Sequence, residues 1–160
     1  MMSAEFEIEP GRWVAVFSGH LLSSGYSTAR RSMKKDASWL SGISLYKRNY
    51  EGGKRIRDYE AENIRQFVDS AHRSGMPVVI AGDFNDWCGS DCLNTLMAED
   101  LKDAWWEGGN GFGWTYFGWH LRLRLDHILY SDKLELVDVK VIDSDLSDHK
   151  PLVARFRFLK

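Results

Sequence analysis

Val78-Val79-Ile80-Ala81 is an unbroken apolar run that empties into Gly82-Asp83-Phe84-Asn85. Apolar residues without alternation read as a strand buried on both faces, and such a strand requires a layer of structure on either side of it. Before it, Ile56, Tyr59, Ile64, Phe67, Val68 and Ala71 recur at helical spacing and predict an amphipathic helix over 54–72, ended by Gly75 and Pro77. Phe6 to Glu9 and Trp13 to Phe17 read as strands about the turn Pro10-Gly11, and the second runs into Ser18-Gly19-His20-Leu21. Ser90 or Asp91 caps a helix reaching about Ala98. Glu107 to Gly118 is a Gly- and aromatic-rich loop with a short strand at 114–117. Arg122 to Tyr130 alternates, placing Arg122, Arg124, Asp126 and Ile128 on one face of a strand. Leu134 to Ile142 and Leu152 to Phe158 complete the strands. The fold class is therefore strand-rich α/β (α+β), with helices on the outer faces of a sheet.

The 160 residues amount to about one domain, taken as 1–160 with a basic insertion at about 23–53. That insertion is polar and broken by glycines, with a short helix around Met33 to Leu45. The net charge of −2 hides nine basic residues between Arg30 and Arg57, set against Asp36 and Glu51. Such a segment can attract an anion or simply form a solvated face. Cys88 and Cys92 are the only cysteines, too few to close a zinc site, and read as free thiols. No apolar run approaches the roughly 18 residues that span a bilayer. The first residues lack the basic and apolar regions of a signal peptide, so the chain as written reads as soluble.

Three strings place a carboxylate beside an amide or imidazole: Gly82 to Asn85, Leu125-Asp126-His127-Ile128-Leu129, and Ser147-Asp148-His149. Taken singly, each has an ordinary structural explanation. Asp and Asn after a strand are good turn formers, and Ser147-Asp148 before Pro151 makes a polar turn. His20 alone suits a strand end, and His72, His120 and His127 suit packing or solvation. Arg57 and Arg65 read as solvent-facing helix residues or as reaching a phosphate. The series Trp105, Trp106, Phe112, Trp114, Tyr116, Phe117 and Trp119 suits core and loop packing or stacking on a base or sugar. Together, the residue types suit phosphate-ester hydrolysis, in which oxygen charge is neutralised, a water activated and a leaving oxygen protonated. Asp148 and Asp83 are candidate carboxylates for a Mg²⁺ site. His149 can act as general base near neutral pH if a carboxylate fixes its tautomer, and Asp126 is the candidate for that.

The three strings in this order, with Gly19-His20-Leu21 before them, resemble the endonuclease/exonuclease/phosphatase superfamily, the DNase I-like metal-dependent phosphohydrolases. The resemblance implies the C-terminal part of a four-layer β-sandwich with outer helices. It also implies Mg²⁺ (or Mn²⁺) as cofactor, Asp148 as metal ligand and His149 as base, oriented by Asp126. By the same resemblance Asp83 and Asn85 position the nucleophile or scissile phosphate, and His20 contacts the phosphate or aids the leaving group. Arg124 is placed near the site. The implied activity is phosphate-ester hydrolysis, foremost a phosphodiesterase or nuclease type, on nucleic acid or a phospholipid headgroup, with phosphatase action also open.

Gly111-Phe112-Gly113-Trp114-Thr115-Tyr116 looks like a segment of superfamily members that follow membrane spans, which leans toward an extracytoplasmic domain of a membrane-anchored parent. The family's N-terminal half ends in an Asn and a Glu at successive strand ends, the Glu being a principal metal ligand. Nothing upstream of His20 matches either, since Glu5, Glu7 and Glu9 lie on a hairpin. The expectation is an incomplete metal site with weak or no activity in the isolated chain. An apolar face left open by a half sandwich further predicts a homo-oligomer. The alternative is a non-catalytic half-domain that binds an anionic ligand or a partner chain.

Overall fold

A computed structural model of the chain describes residues 1–23, 39–118 and 122–159. The apolar run becomes β3 (Val78–Asp83), with β2 (Arg12–His20) parallel on one side and β7 (Asp126–Ser131) antiparallel on the other. β1 (Met2–Glu9) extends the sheet beyond β2, and β4 (Leu101–Asp103) closes it beyond β7. β5 (Tyr116–Phe117) pairs with β6 (Arg122–Leu123), and β8 (Leu134–Val141) pairs with β9 (Leu152–Phe158), as two separate antiparallel ribbons. Three helices accompany them among the described residues: α1 (Trp39–Arg73), α2 (Asp91–Met97) and α3 (Ala104–Gly108).

The central strand is covered on both sides, as its composition requires. Val78 and Ile80 join Ala61, Ile64 and Val68 of α1 and Leu93 and Leu96 of α2 in one core. Val79 and Ala81 turn the other way, toward Ile128, Tyr130 and the inward residues of the β8–β9 ribbon. Burying each large apolar side chain stabilises the fold by about 1.5–3 kcal/mol, so these two layers hold the sheet between them. The second layer is thin. Phe6 pairs opposite Val14 and shares its face, yet remains 49% exposed. This is one part of a layered DNase I-like sandwich, as expected.

Several elements differ from expectation. One helix runs from Trp39 to Arg73 where the sequence suggests a helix over 54–72 and a short one at 33–45; residues 24–38 lie outside the described residues. Gly52 and Gly53 do not break it, although glycine costs about 1 kcal/mol inside a helix. At Gly53 an added Cβ would lie 2.9 Å from Arg57 Nη1, so a larger residue there would have to displace the end of that side chain. The helix ends as predicted: Gly75 adopts φ +82°, its N–H donates to the His72 carbonyl, and the Met76 N–H donates to that of Ala71. Ser90, rather than Asp91, caps α2, its hydroxyl accepting from the Leu93 N–H.

The alternating stretch from Arg122 is not one strand. It pairs with β5, breaks at Arg124-Leu125, and rejoins the main sheet as β7. β4 and α3 are too short to show a periodicity; α3 forms because Asp103 accepts the N–H groups of Trp105 and Trp106. Arg57 is wholly buried rather than solvent-facing, donating to Asp86 at 2.9 Å and to the Leu22 carbonyl. Arg65 is likewise occupied by Asp69, Asp100 and the Leu96 carbonyl. Cys88 and Cys92 are free thiols; burial pushes that of Cys92 up to about 12. Among the described residues no helix is long and apolar enough to cross a membrane.

β2 and β3 approach closely at the Gly19–Gly82 pair, where a Cβ on Gly82 would fall 1.8 Å from the Gly19 carbonyl oxygen. On Gly19 it would meet only ordinary contacts at 3.9 Å and beyond. Gly82→Ala should therefore cost roughly 3 kcal/mol in chemical denaturation, by forcing the strands apart. Gly19→Ala should cost far less; equal losses would show that the close approach is not what fixes the glycine.

Candidate active site

Strand pairing alone brings three candidate residues into a row. His20 ends β2 and lies in register with Asp83, which ends β3; Asp83 in turn lies opposite Asp126, which begins β7. The fourth, His149, follows no strand of the main sheet. It is carried to the row by the segment between β8 and β9 and held by β5. The Phe117 N–H donates to the Asp148 carbonyl, the Lys150 N–H donates to the Thr115 carbonyl, and the Tyr116 ring packs 5.0 Å from the His149 ring.

In that position His149 Nδ1 is 2.8 Å from Asp126 Oδ2, and Nε2 is 3.8 Å from Asp83 Oδ2. His20 Nε2 approaches the same Asp83 oxygen from the other side at 3.7 Å. With Asp126 accepting from Nδ1–H, the neutral ring keeps its lone pair on Nε2, facing Asp83 and the cleft. The hydrogen bond to Asp126, reinforced by the charges of Asp126, Asp83 and Asp148, raises the His149 pKa even though burial opposes it. Burial raises that of Asp83, and the neighbouring charge of Asp126 adds to the effect. The arrangement is thus a base with its orienting carboxylate, next to a second carboxylate held reluctantly charged.

The donor atoms of Asp83, Asp126 and His149 all lie within 4.8 Å of one another, a spread that a single cation could span. Asp148 is not in this group: its side chain is exposed, near Ser147 Oγ, and what β5 uses is its carbonyl. Asn85 is buried at φ 51°, with its N–H on Asp83 Oδ1 and its side-chain amide on the Leu21 carbonyl. It therefore ties the end of β2 to the end of β3 and steers one oxygen of Asp83. Arg124 is away from the cluster, buried with both Asp103 oxygens within 2.8 Å of its Nη1. His127 is fully buried between Asp103 and the Asp86 carbonyl and stacks on Phe84. Burial alone would raise the Asp103 pKa, but His127 and Arg124 hold it below the ordinary carboxylate value.

Thr115 is the participant that sequence reasoning passes over. It is fully buried, and its hydroxyl accepts the N–H groups of Leu125 and Asp126. Its own N–H donates to Leu123 and its carbonyl accepts from Lys150. One residue thus anchors the approach to Asp126 and the strand of chain holding His149. The signal available was a threonine between glycine- and aromatic-rich neighbours, which looks like any loop residue.

Residues 12–149 match the family model for the Endonuclease/Exonuclease/phosphatase family, and the chain belongs to that family. It is 31% identical over 130 residues to a UPF0294 protein of Vibrio cholerae, covering 78% of this chain and 42% of that protein. A UPF0294 protein of Vibrio parahaemolyticus is 30% identical over 148 residues, covering 89% of this chain and 44% of its own length. The chain therefore spans less than half the length of these curated relatives. Among solved structures, the human Nocturnin catalytic domain with bound sulfate superposes with TM-score 0.69 at 19% identity, over 98% of this chain and 52% of that one. D. rerio TDP2 complexed with single strand DNA product gives 0.68 at 16% identity, over 97% and 60%. At such identities these two establish the fold alone.

Two outcomes test the geometry. In an NMR titration the His149 ring should have its midpoint above the ordinary 6.5, and Asp126→Asn should bring it down. Because the folded pKa is the higher one, the pair's contribution to stability is full below the unfolded value and is lost as pH rises through the folded one. Thr115→Val keeps the shape but orphans two buried N–H groups, at a cost of roughly 1–3 kcal/mol each in denaturation, whereas Thr115→Ser should retain most of the stability.

Proposed function

We propose that this chain carries the general base of a divalent-metal-dependent phosphoesterase, a phosphodiesterase or nuclease in type. The observation that supports it most is the 2.8 Å Asp126–His149 pair, with Nε2 turned toward Asp83 at the shared end of β2, β3 and β7. In this reading Nε2 takes a proton from the attacking water while Asp126 stabilises the imidazolium that forms. The water attacks phosphorus, the ester P–O bond breaks, and the leaving oxygen takes a proton. His20, beside Asp83 and largely exposed, contacts the phosphate or supplies that proton. Asp83 and Asn85 position the water or the phosphate.

The donor set fits a Mg²⁺ or Mn²⁺ ion, which asks for one or two carboxylates and completes its shell with water and phosphate. Asp83 would hold it, with Asp126 within reach and Asp148 contributing if its exposed side chain turns inward. Bound there, the ion would neutralise charge on the non-bridging phosphate oxygens. Two carboxylates side by side, one with a raised pKa, are the environment that such a cation relieves.

Because the curated relatives are more than twice as long as the matched stretch, full activity is assigned to a longer protein. The same fact favours a second reading: a half-domain that binds an anion or a partner chain, or pairs with its own copy through the open sheet face, without turnover. Hydrolysis of a chromogenic phosphodiester with Mg²⁺ or Mn²⁺ separates the two, measured on this chain and on the full-length gene product. His149→Ala should lower turnover by about 10²-fold or more with the fold intact. Unchanged turnover would refute the role of His149, and saturable metal binding with no turnover in either form would favour the binding module.

A further inference from the structure

One exposed feature beside the site serves neither core. Phe112 and Trp114 stack face to face with ring centroids 5.0 Å apart. The Arg122 guanidinium lies 5.2 Å from the Trp114 ring and 5.7 Å from that of Phe117. The Lys150 ammonium then sits 4.4 Å from the other member, Phe117. The order in space is thus Phe112, Trp114, Arg122, Phe117, Lys150, and Lys150 is the residue after His149. From the base outward, Lys150, the Phe117 ring, Arg122 and the Trp114 ring follow one another in contact, and Phe112 stacks on the last.

None of the three aromatic residues belongs to either apolar core, and Phe112 is 77% exposed although one of its faces is covered by Trp114. Keeping a phenyl face in water yields no packing. The loop is nevertheless shaped to do so: Gly111 and Gly113 both take left-handed conformations, at φ +76° and +65°. Gly113 also lies against the Trp105 indole, where a Cβ would come within 2.3 Å. Asp143 pairs with Lys150, but Arg122 has no carboxylate partner among the described residues.

We propose that this ladder is a subsite for single-stranded nucleic acid leading away from His149. Unstacked bases lie on the open aromatic face at Phe112, and the phosphates between them meet Arg122. Aromatic faces accept any base, and interleaved cations match a chain in which bases and phosphates alternate. A duplex keeps its bases stacked on each other and has none to offer, so the single strand is favoured. As an account of substrate class the inference rests on the phosphoesterase reading, but binding can be measured apart from it.

The test is fluorescence anisotropy of a labelled oligothymidine of roughly ten nucleotides, with EDTA present so that turnover does not interfere. Phe112→Ala should weaken binding by about fivefold to a hundredfold, and Phe112→Tyr should restore it. Arg122→Ala should weaken it too, and should reduce the slope of log affinity against log salt by about 0.7. Both residues are exposed, so neither change should endanger folding. An abasic oligomer of equal length that binds as tightly would overturn the proposal. So would no oligonucleotide binding, or binding to phosphatidylglycerol vesicles in its place. Intact, Phe112-dependent binding with no hydrolysis of a small alkyl aryl phosphodiester by the full-length protein would sink the phosphoesterase reading and leave the subsite. Hydrolysis with Phe112-independent binding would do the reverse.

Discussion

Thr115 shares four hydrogen bonds among its hydroxyl, its N–H and its carbonyl, and with them it joins segments that the sequence keeps far apart. The hydroxyl sets where β7 begins, and so where Asp126 stands across from Asp83. The carbonyl fixes Lys150, and with it the preceding His149. Without this clamp the main sheet would still present His20, Asp83 and Asp126 in a row, since strand register alone accounts for them. The imidazole would have no fixed place beside them. A base is useful only if its lone pair is held in direction as well as distance, and here that direction comes from a two-residue strand.

The central sheet was legible because its signals are local. An unalternating run must be a doubly covered strand, and a strand that ends in Gly-Asp-Phe-Asn must deliver a carboxylate at its edge. The site was legible in its members but not in its pairings. Asp126-His127 and Asp148-His149 are the same dipeptide twice, yet in the fold neither histidine pairs with the aspartate before it: His149 takes Asp126, while His127 turns inward to Asp103. Only the alternation of β7 decides which of the first pair faces the cleft. The sense of Arg124 was lost for a related reason. The chain bends just there, so the expected face of one long strand does not exist, and the guanidinium goes to Asp103.

Charged pairs buried away from the cleft account for the remaining misreadings. Arg57 with Asp86, and Arg124 with Asp103, bring cations into regions that composition would assign to apolar residues. Such pairs are costly to desolvate, and removing one partner leaves an uncompensated charge behind. Asp103 also accepts from His127 and from the first N–H groups of α3, so one carboxylate fastens the far edge of the sheet to its helix and to the base of the aromatic loop. Asp86 does the same near α1, with Arg57, Tyr50 and the Trp87 N–H around it. A linear pattern of hydropathy carries no trace of these long-range satisfactions. They become visible only once the backbone has placed donor and acceptor together.

Among the described residues β1 is the outermost strand, with Glu5 in register opposite Ala15 and Phe6 opposite Val14. Its side chains therefore alternate in kind as well as direction, Ala4 and Phe6 to one side and Ser3, Glu5 and Glu7 to the other. A further strand laid along that edge is compelled to alternate in step, apolar next to Ala4 and Phe6, polar or basic next to the carboxylates. Shifted by a single residue it would set oil against charge along its whole length. That edge is thus a template that reads the phase of its neighbour and rejects a strand that is merely sticky.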